Sequence, residues 1–112
     1  MEAALISFET REEWDSINQY LFQRNIYDEY YTSGTDLAIK GEHVWFSTGE
    51  PLELNIWGRG EPSNNGGIEH CDVLGYLGTS TNYDVLNDIP CDLKRYYICE
   101  APQPKTASFF IW

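Results

Sequence analysis

The sequence predicts a single α+β domain, and three observations carry that prediction. One amphipathic helical stretch lies near the start, a series of short strand-like runs follows it, and a Gly-, Asn- and Pro-rich segment interrupts them. The 112 residues are the size of one domain and leave no room for a second independent core. Hydrophobic residues make up 42% of the chain and aromatic residues 15%, including Trp14, Trp45, Trp57 and Trp112, so the chain carries enough apolar mass to fold and too much for disorder.

Thr10 followed by Glu13 reads as a capping box, and Trp14, Ile17 and Leu21 then recur at helical spacing, which predicts a helix over about 10–23 with its apolar face inward. The segment 30–36 mixes aromatics with Thr, Ser and Gly and ends in a turn, and His43-Val44-Trp45-Phe46 reads as a short strand broken by Thr48-Gly49-Glu50-Pro51. From 55 to 67 the composition describes a long loop with Trp57 as its apolar anchor. Strand-like runs resume at 72–77, 83–86 and 96–99, separated by Gly78-Thr79-Ser80 and by Asp88-Ile89-Pro90. There are no internal repeats and no Asn-x-Ser/Thr glycosylation sites. Residues 1–100 are expected to form the domain and 101–112 a carboxy-terminal tail. In that tail Pro102 and Pro104 make an extended spacer, and Phe109-Phe110-Ile111-Trp112 either docks on the domain or stays sticky.

Eighteen acidic against seven basic residues give a formal charge of -11, which opposes the counterion-release attraction behind nucleic-acid binding and repels anionic lipid. No stretch approaches the ~20 apolar residues of a membrane helix, so no membrane insertion is expected. Cys71, Cys91 and Cys99 include no Cys-x-x-Cys pair and do not fit a zinc ribbon. In a small Gly-rich and aromatic-rich chain they fit a disulfide framework from an oxidising compartment, with one cysteine left over. The opening Met1-Glu2-Ala3-Ala4-Leu5-Ile6 has neither a basic start nor a cleavage region, so either the chain is cytosolic or its true beginning is missing.

Chemistry concentrates in the second half. Glu61-Pro62-Ser63, Glu69 and Asn87-Asp88 are hard oxygen donors, and calcium takes roughly 6 to 8 such oxygens in a flexible shell. Glu61, Glu69 and Asp88 would set three negative charges around a divalent ion, and a cis bond before Pro62 would turn the side chains of Glu61 and Ser63 toward one point. On composition alone these residues are ordinary loop polarity. Their order and spacing say more.

The sequence resembles the C-type lectin-like domain family across residues 1 to 100. The resemblance is carried by Leu5-Ile6-Ser7-Phe8-Glu9-Thr10-Arg11-Glu12-Glu13, Tyr31-Thr32-Ser33-Gly34-Thr35-Asp36, Val44-Trp45-Phe46 and Trp57. It continues through the Glu-Pro-x loop, Glu69-His70-Cys71, Asn87-Asp88 and Tyr97-Ile98-Cys99-Glu100. The wording Ser33-Gly34-Thr35-Asp36 is most like the secreted lectins of arthropods. The resemblance implies a double-looped fold with two short helices, two small antiparallel sheets and a Cys71 to Cys91 disulfide clamping the long loop. It pairs Cys99 with a cysteine upstream of Met1, so a missing amino-terminal part with a first strand would explain both the unpaired cysteine and the absent signal. The implied function is calcium-dependent binding of carbohydrate by a secreted protein. The implied Ca2+ and sugar ligands are Glu61, Ser63, Glu69, Asn87 and Asp88. Two positions depart from the family pattern: Ser63 stands where Asn or Asp is usual, and Leu86 where Trp is. Glu61 resembles the type that takes equatorial vicinal hydroxyls, as in mannose or fucose. A second calcium site of some relatives would want acids near Lys40 and at His70, and Lys40 argues against it.

Other readings fit less well. His43 and His70 belong to no metal-ligand or nucleophile arrangement and read as ordinary surface or loop histidines. A glycosidase needs one carboxylic acid kept protonated, whereas Glu61 and Glu69 around calcium would both stay ionised, so the chain is not read as an enzyme. Trp14, Trp45 and Trp57 match core positions rather than a sugar-stacking platform. The competing function is a calcium-independent protein-interaction module on the same fold.

Overall fold

The computed structural model describes residues 4–75, 84–101 and 108–111. The elements run β1 (Ala4–Leu5), α1 (Arg11–Gln23), β2 (Tyr30–Thr35), β3 (Val44–Trp45), β4 (Glu50–Pro51), β5 (Cys71–Leu74), β6 (Leu86–Ile89), β7 (Tyr96–Ala101) and β8 (Ser108–Ile111), with a 3-10 turn at Asn65–Gly67.

Helix α1 forms where the capping pattern placed it. The Glu13 amide donates to Thr10 Oγ1 at 3.2 Å and the Glu13 carboxylate accepts from the Thr10 amide at 3.1 Å, so each satisfies a donor the helix start would leave open. Trp14, Ile17, Asn18 and Leu21 form the buried face. Phe8, on the segment leading into the helix, meets Trp14 edge-on at 4.9 Å and Trp45 at 5.6 Å, and these three rings with Ile56, Leu86 and Ile98 make up much of the core. Trp14 and Trp45 are buried, and Trp57 packs against the same cluster.

β7 is the hub of the sheet. It pairs antiparallel with β1 and β8 and parallel with β2. β2 pairs antiparallel with β3 and β5, β3 continues into β4, and β5 into β6. The α+β class stands. Among the described residues it is realised with one α-helix rather than two, and with a mixed sheet because β2 runs parallel to β7. The second expected helix has no counterpart among them.

Three local readings shift. Segment 30–36, expected to end in a turn, is strand β2 up to Thr35. Its Thr hydroxyls replace ladder bonds where the register with β5 slips, Thr32 Oγ1 donating to the Asp72 carbonyl at 3.0 Å and Thr35 Oγ1 to the His70 carbonyl at 2.6 Å. The strand expected at 83–86 lies at Leu86–Ile89 instead, since antiparallel pairing with Cys71–Leu74 draws Asn87 and Asp88 into the ladder; position 83 is outside the described residues. Of the predicted 72–77, positions 76 and 77 are likewise outside them. For the tail, the backbone of Ser108–Ile111 docks on β7, with Cys99 opposite Phe110.

Candidate functional site

The site is built where β6 meets the loop between residues 58 and 70. Asp88 on β6 is fully buried and holds that loop by its backbone: the Ser63 amide donates to Asp88 Oδ1 at 3.0 Å and the Asn64 amide to Oδ2 at 2.7 Å. Upstream, the Gly58 amide donates to the Leu86 carbonyl and the Glu61 amide closes a turn onto Gly58. The Glu61–Pro62 peptide is cis. Downstream, Glu69 Oε1 accepts from the Asn65 amide at 2.9 Å and from Ser63 Oγ at 3.0 Å, while the Glu69 amide donates to Asn64 Oδ1 at 3.2 Å. Glu61 Oε1 accepts a further bond from the Ser63 amide at 3.0 Å.

A carboxylate oxygen from each of Glu61, Glu69 and Asp88 therefore lies within 4.8 Å of the others. Burial, reinforced by the hydrogen bond and charge of Asp88 and only partly offset by Ser63, raises the Glu61 pKa to about 7. Carboxylates so close repel one another, and a hard divalent cation relieves that repulsion, so an all-oxygen set of this charge fits Ca2+.

Of the residues singled out in the sequence, Glu61, Ser63, Glu69 and Asp88 converge. Asn87 is next to Asp88 on the buried strand, with its backbone opposite Val73. The Cys71–Cys91 disulfide is formed, and Cys99 is a free thiol. The bridge ties the start of β5 to the residue two beyond β6, clamping the ladder that carries Asp88.

Both histidines lie in loops, as expected, but each is held by buried acids rather than free at the surface. His43 has a side chain only 6% exposed and its Nδ1 lies 2.7 Å from Asp72 Oδ2, with Asp36 Oδ2 at 3.7 Å from Nε2. Burial pulls the His43 pKa down, but Asp72, then Asp36 and Asp88, outweigh it and raise it. Burial raises the Asp72 pKa to about 6 against the opposing pull of His43. His70 Nδ1 sits 2.8 Å from Asp36 Oδ1 and Nε2 lies 3.1 Å from the Gly67 carbonyl, fastening the tip of the site loop to the end of β2. Asp36, Asp72 and Asn64 were missed as partners of the site. Only Asp72, a lone acid in an otherwise apolar strand run, offered a signal in the sequence.

Comparison with known proteins agrees with this geometry. The Lectin C-type domain family matches residues 1–101. The chain is 42% identical to C-type lectin 37Da of Drosophila melanogaster over 117 residues, which takes in all of this chain and 62% of that protein. It is 35% identical over 72 residues to Salivary C-type lectin 2 of Aedes albopictus, covering 64% of this chain and 48% of the relative. It thus spans less than two thirds of the length of either relative. Among solved structures, the mouse scavenger receptor C-type lectin carbohydrate-recognition domain superposes with a TM-score of 0.72 at 28% identity, over 93% of this chain and 73% of that one. CEL-I from Cucumaria echinata shares the fold, with a TM-score of 0.71 at 18% identity over 88% of this chain and 67% of that one. These relatives are lectins and not enzymes, and the chain belongs to the C-type lectin domain family.

Proposed function

We propose that this domain binds carbohydrate through a calcium ion held by Glu61, Ser63, Glu69, Asn87 and Asp88, and that it does so outside the cell. The observation that carries this reading is the convergence of the Glu61, Glu69 and Asp88 carboxylates within 4.8 Å, on a loop whose backbone amides already bond them. The bound ion supplies open coordination positions for two adjacent sugar hydroxyls. The chain's own groups orient those hydroxyls: Glu61 and Glu69 accept hydrogen bonds from them, and the Asn87 amide donates. Asp88, buried and bonded to the Ser63 and Asn64 amides, fixes the loop so that these groups need not reorganise on binding. Glu61 directs the site to equatorial vicinal hydroxyls, as in mannose or fucose, on the glycans of glycoproteins or microbial surfaces. The disulfide and the salivary lectins of mosquitoes among the relatives support an extracellular setting.

Calorimetric titration with Ca2+, followed by mannose, fucose and galactose with and without a chelator, tests the proposal. Saturable calcium binding and sugar binding that vanishes with the chelator are expected. Glycoprotein binding that survives the chelator unchanged would transfer the function to a calcium-independent protein-interaction module.

A further inference from the structure

We infer, resting on the carbohydrate reading above, that the site prefers glycans carrying an anionic group, a sulfate or a carboxylate, on or next to the sugar it holds. The argument comes from where the few cations stand. The chain has seven basic residues against eighteen acidic ones, so each base has many acids to pair with. Arg11 bonds Asp15 at 3.0 Å, Arg95 bonds Glu29 at 2.6 Å, and the Arg24 guanidinium lies over the Tyr20 ring at 3.7 Å. Lys105 is outside the described residues. That leaves Lys40, Arg59 and Lys94, none of which has a carboxylate within ion-pair distance among the described residues.

Of these three, Arg59 stands on the loop that forms the site, and Lys40 faces that loop from the segment between β2 and β3. Lys40 is exposed, and its Nζ lies 3.7 Å from where a Cβ on Gly67 would be, which puts the ammonium against the tip of the loop that delivers Glu69. Arg59 is exposed in the turn closed by the Glu61 amide on the Gly58 carbonyl, two residues before Glu61. The two cations thus come from different chain segments, Arg59 two residues before Glu61 and Lys40 against Gly67, two residues before Glu69. Lys94 lies elsewhere, beside Asp28, Glu29 and Tyr96.

A net charge of -11 repels an anionic glycan at long range. Such a ligand needs a local positive field at the point of contact, and Lys40 and Arg59 supply one with no internal acid to displace. An exposed ion pair contributes roughly 1.5- to fivefold in affinity, so the two together are worth about two- to 25-fold.

The test is calorimetry in saturating calcium on the full chain, comparing mannose with mannose 6-sulfate, and galactose with galactose 6-sulfate and galacturonate. It uses the wild type, Lys40→Ala, Arg59→Ala, the double variant and Lys94→Ala as a control. The anionic sugar of each set should bind about two- to 25-fold tighter than its neutral parent, and the advantage should shrink as salt rises from about 50 to about 500 mM. The double variant should lose that advantage while still binding calcium at least as tightly as the wild type, and Lys94→Ala should keep it. A gain for sulfates alone assigns the sulfated class, and a gain for galacturonate as well extends it to uronates. Neutral sugars bound as tightly as anionic ones by the wild type, or an advantage that survives the double substitution, overturns the inference. Sugars that bind neither as neutral nor as anionic forms, or that bind regardless of chelator, bring down the carbohydrate reading itself and this inference with it.

Discussion

Asp72 lies directly across the β5–β6 ladder from Asp88, and both side chains are fully buried. His43 is hydrogen-bonded to Asp72, and the acids around it, Asp72 first, raise its pKa against the effect of burial. The arrangement ties the domain's stability to protons and, on the calcium reading proposed above, to the metal as well.

The first consequence is a pH dependence with a definite sign. Glu61 and Asp72 titrate in the folded protein at about 7 and about 6, above their ordinary carboxylate values, and His43 is raised as well. Each therefore contributes stability that is present at low pH and is lost as pH rises through its folded pKa, because the native state binds more protons than the unfolded one. Asp36 is shifted the other way, and its contribution is lost only in more acid solution. In chelator, the melting temperature should rise as pH is lowered from about 8 to about 5. With saturating calcium the trend should flatten or reverse, because Glu61 must be ionised to ligate. Thermal melts across that range, with and without the ion, check both parts, and a chelated protein that loses stability on going from pH 8 to 5 contradicts the assignment.

Ser63 tests the ligand set residue by residue. Its amide bonds to Glu61 and Asp88 are independent of the side chain, so Ser63→Ala should leave the loop folded while removing the hydroxyl next to Glu69 Oε1. Weaker binding of calcium and of sugar is expected. Ser63→Asn, which brings a longer carbonyl ligand and an amide donor, should tighten both by up to about tenfold, the equivalent of one hydrogen bond of ~0.5–1.5 kcal/mol. Equal affinities for the Ser and Ala forms would remove Ser63 from the set.

Gly34 has no room for a side chain. A Cβ there would fall 2.6 Å from Asp72 Oδ2, a buried group that His43 holds in place. Gly34→Ala should destabilise the domain by about 1–3 kcal/mol in denaturant unfolding. Combined with Asp72→Ala, which removes the obstructing carboxylate, it should cost less than the sum of the single changes. Strict additivity would show that the contact is not what excludes alanine.

Replacing both Cys71 and Cys91 by Ser should cost about 2–5 kcal/mol in the same measurement. Calcium affinity should fall too, since the bridge clamps the strand pair carrying Asp88. Denaturant curves on the double variant and on reduced wild type should agree, and a variant as stable as the oxidised protein would exclude a structural role for the bridge.

Much of this was legible in the sequence because it is written in local signals. Thr10 and Glu13 announce the helix start, and the ordered oxygen donors from Glu61 to Asp88 point to the carboxylate cluster that the fold brings together. The readings that moved are those set by distant partners. Tyr30, Tyr31 and Thr32 suit a strand by propensity, but Ser33 and Gly34 do not, and what holds β2 to Thr35 is set by backbone groups forty residues away in Asp72 and thirty-five away in His70. His43 reads as an ordinary surface or loop histidine until the fold brings Asp72 beneath it, twenty-nine residues on. Asn87 and Asp88 look like turn residues, and only pairing with β5 shows that they are held in a strand.

The two outer segments of the described chain, β1 and β8, both lie against β7. β1 has Ala4 opposite Glu100, and the Ile6 carbonyl accepts from the Ser33 amide, so the opening segment is stitched between β7 and β2. β8 lies along the same stretch of β7, from Ile98 to Ala101. A pull on either segment is therefore borne first by β7, while the disulfide-clamped ladder that carries Asp88 hangs on β2 instead.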